Sequence, residues 1–201
     1  MRDYTLRSAR FLAAEALRRF LLPGDIAIDA TMGNGHDTQL LCELVGDSGH
    51  VFAFDIQSEA ITNTKVRLEN AGLIHRASLY CIGHEHMSEF VQSPVQAVVF
   101  NLGWLPGGNK QITTRWETTR SAILQALSLL VQEGLCVICV YPGHAEGDHE
   151  RSELFSMLKG LKPQDFNVLH HRFINAGPGA PECFILQKQP GSNFDLSRKN
   201  T

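Results

Sequence analysis

Apolar positions along this chain fall into two alternating rhythms. Runs such as Ile26-Ala27-Ile28, Val51-Phe52-Ala53-Phe54, Ala97-Val98-Val99-Phe100 and Leu135-Cys136-Val137-Ile138-Cys139-Val140 are almost unbroken. That is the pattern of strands buried on both faces. Between them, apolar residues recur at helical spacing, as with Leu6, Phe11, Leu12, Ala16, Leu17 and Phe20. The pattern predicts helices at 5–21, 37–45, 58–71, about 85–91, 116–131 and 149–160. It predicts strands at 25–30, 50–54, 77–82, 97–100, 135–141, 166–174 and 183–188. Pro23-Gly24, Gly46, Gly72 and Glu133-Gly134 punctuate these elements, and Ser58 is the expected N-cap of the third helix.

Alternation of strand and helix implies a parallel sheet with helices on both faces. The last two strands follow one another with only a loop, 175–181, between them, which implies a closing antiparallel hairpin. The expected fold is α/β: a Rossmann-like, seven-stranded, mostly parallel sheet with a C-terminal antiparallel hairpin. One domain is expected over 1–190, N-terminal helix included, with a loose tail at 191–201.

Composition narrows the class. The chain has 201 residues, 43% hydrophobic and 19% charged, with a net charge of −3. This is ordinary globular composition. Neither an 18-residue apolar run nor a signal-peptide core is visible, so no membrane span and a cytoplasmic location are expected. Arg2, Arg7, Arg10, Arg18 and Arg19 outweigh Asp3 and Glu15 near the N-terminus, and Lys110, Arg115 and Arg120 form a second weakly basic set. Both are phosphate-contact candidates as well as ordinary solvated faces. Of the five cysteines, Cys136 and Cys139 sit in one strand at a spacing that faces them to opposite sides. Buried small hydrophobes are expected rather than a redox or metal pair. His84-Glu85-His86 lacks a further ligand at metal spacing, so no metal is expected.

The chemistry concentrates after predicted strand ends. Ile28-Asp29-Ala30-Thr31-Met32-Gly33-Asn34-Gly35-His36-Asp37-Thr38 is a strand, a glycine turn and a helix start. A dinucleotide loop would place a third glycine where Thr38 stands. It would also place a pyrophosphate where Asp29 is, and a carboxylate repels one. An acid there suits a cationic amine, such as the methionine end of S-adenosylmethionine. Asp55 ends the second strand 20 residues past Gly35, where doubly wound folds bind ribose hydroxyls. His36 and Asp37 are equally ligand contacts or helix-start residues.

The loop after the fourth strand reads Asn101-Leu102-Gly103-Trp104-Leu105-Pro106-Gly107-Gly108. Oxygens at Asn101 and Leu102 suit an amine nucleophile, whose hydrogens they would accept. Trp104 offers a surface on which a base stacks. Together with Ile112-Thr113-Thr114 and Tyr141-Pro142-Gly143-His144, these segments resemble the bacterial rRNA methylase family, and with it the MnmM-type tRNA methyltransferases. The likeness runs from about residue 5 to 188. Trp104 stands where many relatives would carry Tyr.

The resemblance implies an S-adenosylmethionine-dependent methyltransferase of the aminomethyl group on tRNA wobble uridine. It implies cofactor contacts from Asp29, Thr31, Gly33, Asn34, Gly35, Asp37 and Thr38, from Asp55, Ile56 and Gln57, and from His84, Glu85 and Asn101. It makes Asn101 and Trp104 the acceptor residues and His144 a proton acceptor. The implied partner is the anticodon arm of tRNA; a homodimer is possible at this size. The residues themselves leave rRNA, a protein or a small molecule open as acceptor, and a nucleotide-binding or NAD-dependent protein as a further class.

Overall fold

The computed structural model describes residues 8–194. The N-terminal part of the first predicted helix, with Leu6 and Arg7, lies outside the described residues, as do Arg2 and Asp3 and 195–201 of the predicted tail. Seven strands form one sheet: β1 (Ile26–Asp29), β2 (His50–Asp55), β3 (Ala77–Cys81), β4 (Val95–Leu102), β5 (Leu130–Val140), β6 (Phe166–His171) and β7 (Glu182–Lys188). Their order is β3-β2-β1-β4-β5-β7-β6. All neighbours are parallel except β5 with β7 and β7 with β6. The expected closing hairpin is present, with β7 inserted between β5 and the edge.

Six helices cover the two faces: α1 (Ala9–Phe20), α2 (His36–Val45), α3 (Ser58–Asn70), α4 (Met87–Phe90), α5 (Trp116–Leu129) and α6 (Ala145–Lys159). Successive strand residues feed opposite cores. Ala27, Val99 and Cys139 pack with Ala13, Leu17, Leu41 and Leu68 of α1, α2 and α3. Ile28, Val98, Phe100 and Cys136 pack with Met87, Ile123, Leu127 and Leu154 of α4, α5 and α6. Cys136 and Cys139 thus lie on opposite faces, both buried, whereas Cys81 is exposed because it ends the edge strand β3.

Several boundaries differ from the sequence pattern. Gln57, not Ser58, is the N-cap of α3, and it caps without its side chain. Asp55 Oδ1 accepts from the Gln57 backbone N–H at 2.9 Å instead. α6 starts at Ala145, four residues before 149, with His144 as N-cap and Glu146 and Asp148 in its first turn. β5 begins at Leu130 rather than 135, because Val95 already pairs with Leu130 before the register shifts to Ala97 and Leu135. The Glu133-Gly134 break becomes a bulge-like excursion, with Glu133 at φ 64°. Nor is the start of the predicted tail loose. The Ser192 hydroxyl donates to Asp165 at 3.0 Å, and Phe194 packs edge-on to Phe166 at 5.0 Å.

Candidate active site

The carboxyl ends of the parallel strands open into one cavity of about 580 Å³. This is the address expected of a doubly wound sheet and a volume suited to a small-molecule ligand. Five strand ends supply its walls, and α1 adds Arg10.

The glycine loop after β1 forms one end. Gly33 at φ 49° and Gly35 at φ 76° take the left-handed backbone that reverses the chain. Gly33 donates its N–H to Asp55 Oδ2 at 3.1 Å, joining the loop to the end of β2. Asn34 Nδ2 donates to the Pro106 carbonyl at 3.1 Å, and Arg67 Nε donates to the Asn34 carbonyl at 2.7 Å. Ile56, 59% exposed, and Gln57 follow Asp55 along the wall. His84 and Glu85, after β3, complete this end. His84 is buried, its Nδ1 lies 3.2 Å from the Ala30 carbonyl, and burial holds its pKa below the usual histidine value.

The other end is built by β4, the loop after it and β5. Asn101 lies inside β4 rather than after it. Thr31 Oγ1 accepts from its backbone N–H at 2.7 Å. Its Nδ2 donates to Asp37 Oδ2 at 2.7 Å, and Tyr141 donates its hydroxyl to Asn101 Oδ1 at 3.2 Å. Arg10 Nη2 pairs with Asp37 Oδ1 at 3.1 Å. Trp104 lines the cavity and bridges to Thr113 across the loop. Lys110 Nζ stands 5.5 Å from the Trp104 ring centroid. The loop is tied from behind: Thr114 and Thr119 donate their hydroxyls to the two oxygens of buried Glu150 at 2.7 and 2.6 Å. Burial pushes the Glu150 carboxyl up, against those hydrogen bonds.

Ten of the predicted site residues meet in this cavity: Thr31, Gly33, Asn34, Asp37, Asp55, Ile56, Gln57, His84, Glu85 and Asn101, and Trp104 joins them. Four do not line it. Asp29 is fully buried, with its oxygens taken by the Thr31 N–H at 3.2 Å and the Thr38 hydroxyl at 2.7 Å. Burial, and then the neighbouring Asp37, raise its pKa to about 7. Its carboxyl therefore braces the loop from beneath and does not line the cavity. Thr38 is buried as its partner. Gly35 faces Thr64, where a Cβ would fall 2.8 Å from the Thr64 Cα. His144 caps α6: its Nδ1 accepts from the Gly147 N–H at 3.2 Å, and its ring lies 4.5 Å from Trp104. Nδ1 is thereby spent, the neutral ring carries its proton on Nε2, and Nε2 is buried without a partner among the described residues. His144 backs Trp104 and does not line the cavity.

Arg10, Arg115 and Tyr141 line the cavity unforeseen as site residues. The basic bias of 1–20 and 110–120 was the available hint for the arginines. Tyr141 stood in a marked motif in which attention fell on His144. Among the described residues no group of three or more His, Cys, Asp or Glu is placed to hold a metal, and no helix is long and apolar enough to cross a membrane.

A seven-stranded sheet with this order, this reversed hairpin and a ligand cavity at the strand ends defines a Rossmann-like methyltransferase fold. The sequence profile of the family described as "Putative rRNA methylase" matches residues 51–187, and the chain belongs to that family. It is 38% identical over 176 residues to the Arabidopsis thaliana tRNA (mnm(5)s(2)U34)-methyltransferase, chloroplastic, an alignment that covers 83% of this chain and 64% of that protein. The chain thus spans a little under two thirds of that relative's length. The structure superposes on a "putative rRNA-methylase" from Clostridium thermocellum with TM-score 0.90 and 39% identity, over 92% of this chain and all of that one. A "putative methyltransferase" from Streptococcus mutans, solved in complex with SAH, gives TM-score 0.83 and 33% identity, over 90% of this chain and 98% of that one.

Proposed function

We propose that this chain is an S-adenosylmethionine-dependent N-methyltransferase that acts on the aminomethyl group of the wobble uridine in tRNA, engaging the anticodon arm. The observation that carries it is one continuous cavity with a cofactor end at Gly33 and Asp55 and an amine-orienting end at Asn101 and Trp104. The tRNA-modifying relative and the SAH-bound neighbour agree with this reading.

The residues present fit the cofactor. The carboxylate at the end of β2 suits ribose hydroxyls, and the missing Cβ at Gly33 lets backbone approach a ligand. Ile56 and Gln57 flank the place for a base, with His84 and Glu85 opposite. When bound, S-adenosylmethionine supplies an electrophilic methyl group on a sulfonium, which an amine takes in line with the departing sulfur. Asn101 Oδ1 and the Leu102 carbonyl accept the amine's hydrogens and so aim its lone pair. Trp104 supports the base that carries the amine. A base that reaches Trp104 inside the cavity has to be turned out of its stack.

The test is methyl transfer from labelled S-adenosylmethionine to tRNA carrying unmethylated aminomethyluridine, followed by nucleoside mass spectrometry. A methylaminomethyl nucleoside is the expected product. Asn101→Ala should lower turnover on the order of 10²-fold through lost alignment, and Trp104→Ala should chiefly weaken tRNA binding, by about 1–3 kcal/mol. Cofactor binding without transfer to tRNA would sink the wobble-uridine reading and direct the search to rRNA.

A further inference from the structure

An asparagine that orients an amine has a weakness. Its carboxamide has two ends of nearly equal shape, and only the oxygen end accepts hydrogens. A half-turn would present an NH₂ group, a donor, to a nucleophile that needs an acceptor. The side chain of Asn101 therefore has to be held against rotation for the proposed reaction to proceed.

We propose that Asp37 and Tyr141 are positioning residues that lock the Asn101 carboxamide with its oxygen available to the acceptor amine, and that Arg10 secures Asp37 in turn. This inference rests on the proposed amine methylation. Two opposed constraints act on the side chain. The Asp37 carboxylate only accepts, so the group 2.7 Å from its Oδ2 is the Asn101 NH₂. On the other side the Tyr141 hydroxyl, 3.2 Å from Oδ1, has a donor to give. Burial pushes the Tyr141 phenol up, well clear of neutral pH, so it keeps that proton. A flip of Asn101 would set its oxygen against the Asp37 carboxylate, losing that hydrogen bond outright, and would force the Tyr141 hydroxyl to turn round and accept from the NH₂. One lone pair of Oδ1 is then left for the substrate.

Four separate elements converge to build this lock. Asn101 pairs with Cys139 across β4 and β5, and Tyr141 lies two residues beyond Cys139, on the same side of the sheet. Asp37 sits in the first turn of α2, where the helix N-terminus favours a negative charge. Arg10 reaches from α1 to Asp37 Oδ1 with both Nη2, at 3.1 Å, and Nε, at 3.3 Å. The Arg10 side chain is 45% exposed and the pair is screened by water, so Arg10 contributes least of the three. The lock also explains why Asp37 points into the cavity and yet has both oxygens engaged by protein.

The side-chain NH₂ of Asn101 reports on this directly, with no acceptor substrate present. In protein labelled with [15N]asparagine, its signal pair is identified by its loss in Asn101→Asp. The lock predicts two well-separated proton resonances with slow hydrogen exchange. In Asp37→Asn and in Tyr141→Phe the pair should shift, and its exchange should quicken by about tenfold or more for Asp37→Asn. Tyr141→Phe is near-isosteric and serves should Asp37→Asn fail to fold. In turnover, Tyr141→Phe should lower kcat about 2- to 10-fold, the value of one neutral hydrogen bond, with the KM for S-adenosylmethionine unchanged. An Asn101 signal identical in parent and both variants would overturn the lock. Failure of the parent to methylate tRNA would instead sink the proposed substrate and leave the resonance test standing.

Discussion

Single residues here divide into those that face the ligand and those that hold the facing ones, and Asp29 shows how sharply. Its place at the end of β1 marked it as a cofactor contact; it is fully buried beneath the loop, bonded to Thr31 and Thr38. Its carboxyl titrates near 7 in the fold against 3.8 in a free chain, with burial the chief cause. The folded state therefore binds this proton more tightly than the unfolded state. The stability so gained is complete below about pH 4 and is lost as pH rises through about 7. The shift corresponds to at most ~4 kcal/mol. Asp29→Asn removes this titration while the Thr38 hydroxyl can reverse to accept. Thermal melts from pH 5 to 8 should show the variant gaining on the parent as pH rises; parallel curves would show that Asp29 does not titrate there. The marked residues were legible because carboxylates, amides and glycines at strand ends have few other reasons to cluster. Tyr141 and Arg10 were not, because their partners Asn101 and Asp37 lie 40 and 27 residues away in sequence. No local pattern encodes such pairs.

Elements were read well where periodicity ran long and poorly where pairing or capping set the boundary. Among the described residues, each of the seven strands and six α-helices overlaps a segment that the apolar rhythm predicts. The early start of β5 depends on a partner in β4, and the early start of α6 depends on a histidine cap followed by acidic residues. Neither is a hydrophobic feature. The turn between β1 and α2 depends on Gly35 for two reasons, a φ of 76° and a Cβ position 2.8 Å from the Thr64 Cα. Gly107 in the acceptor loop has a φ of 87° but open space around it. Gly107→Ala should cost only the left-handed strain, about 1–2 kcal/mol. Gly35→Ala should cost clearly more and should also weaken S-adenosylmethionine binding. Urea titration and calorimetry compare the two; equal losses would show that Thr64 yields without cost.

At the scale of the molecule, the ends of five strands meet in one cavity, and cationic side chains border its Asn101 and Trp104 side. Arg10 and Arg115 line the cavity and Lys110 stands by Trp104, although the whole chain carries a net charge of −3. Local placement, not total charge, is what the proposed RNA substrate would meet. Each phosphate neutralised contributes a salt slope of about 0.7 for single-stranded RNA. Arg115→Ala should therefore raise the KM for tRNA and reduce the slope of log KM against log salt by about 0.7. An unchanged slope would remove Arg115 from the RNA contact.

The tie between Glu150 and the two threonines reaches beyond stability. With Thr114 and Thr119 both bonded to one buried carboxyl on α6, that wall of the cavity is tied to the body of the fold. On the proposed reaction, a wall so tied favours a uridine that arrives already everted from its loop. An enzyme of that kind draws on the small fraction of tRNA molecules in that conformer, and its measured affinity is the intrinsic one diluted by that fraction. Modifications that loosen stacking in the anticodon loop would tighten binding without touching a single protein side chain.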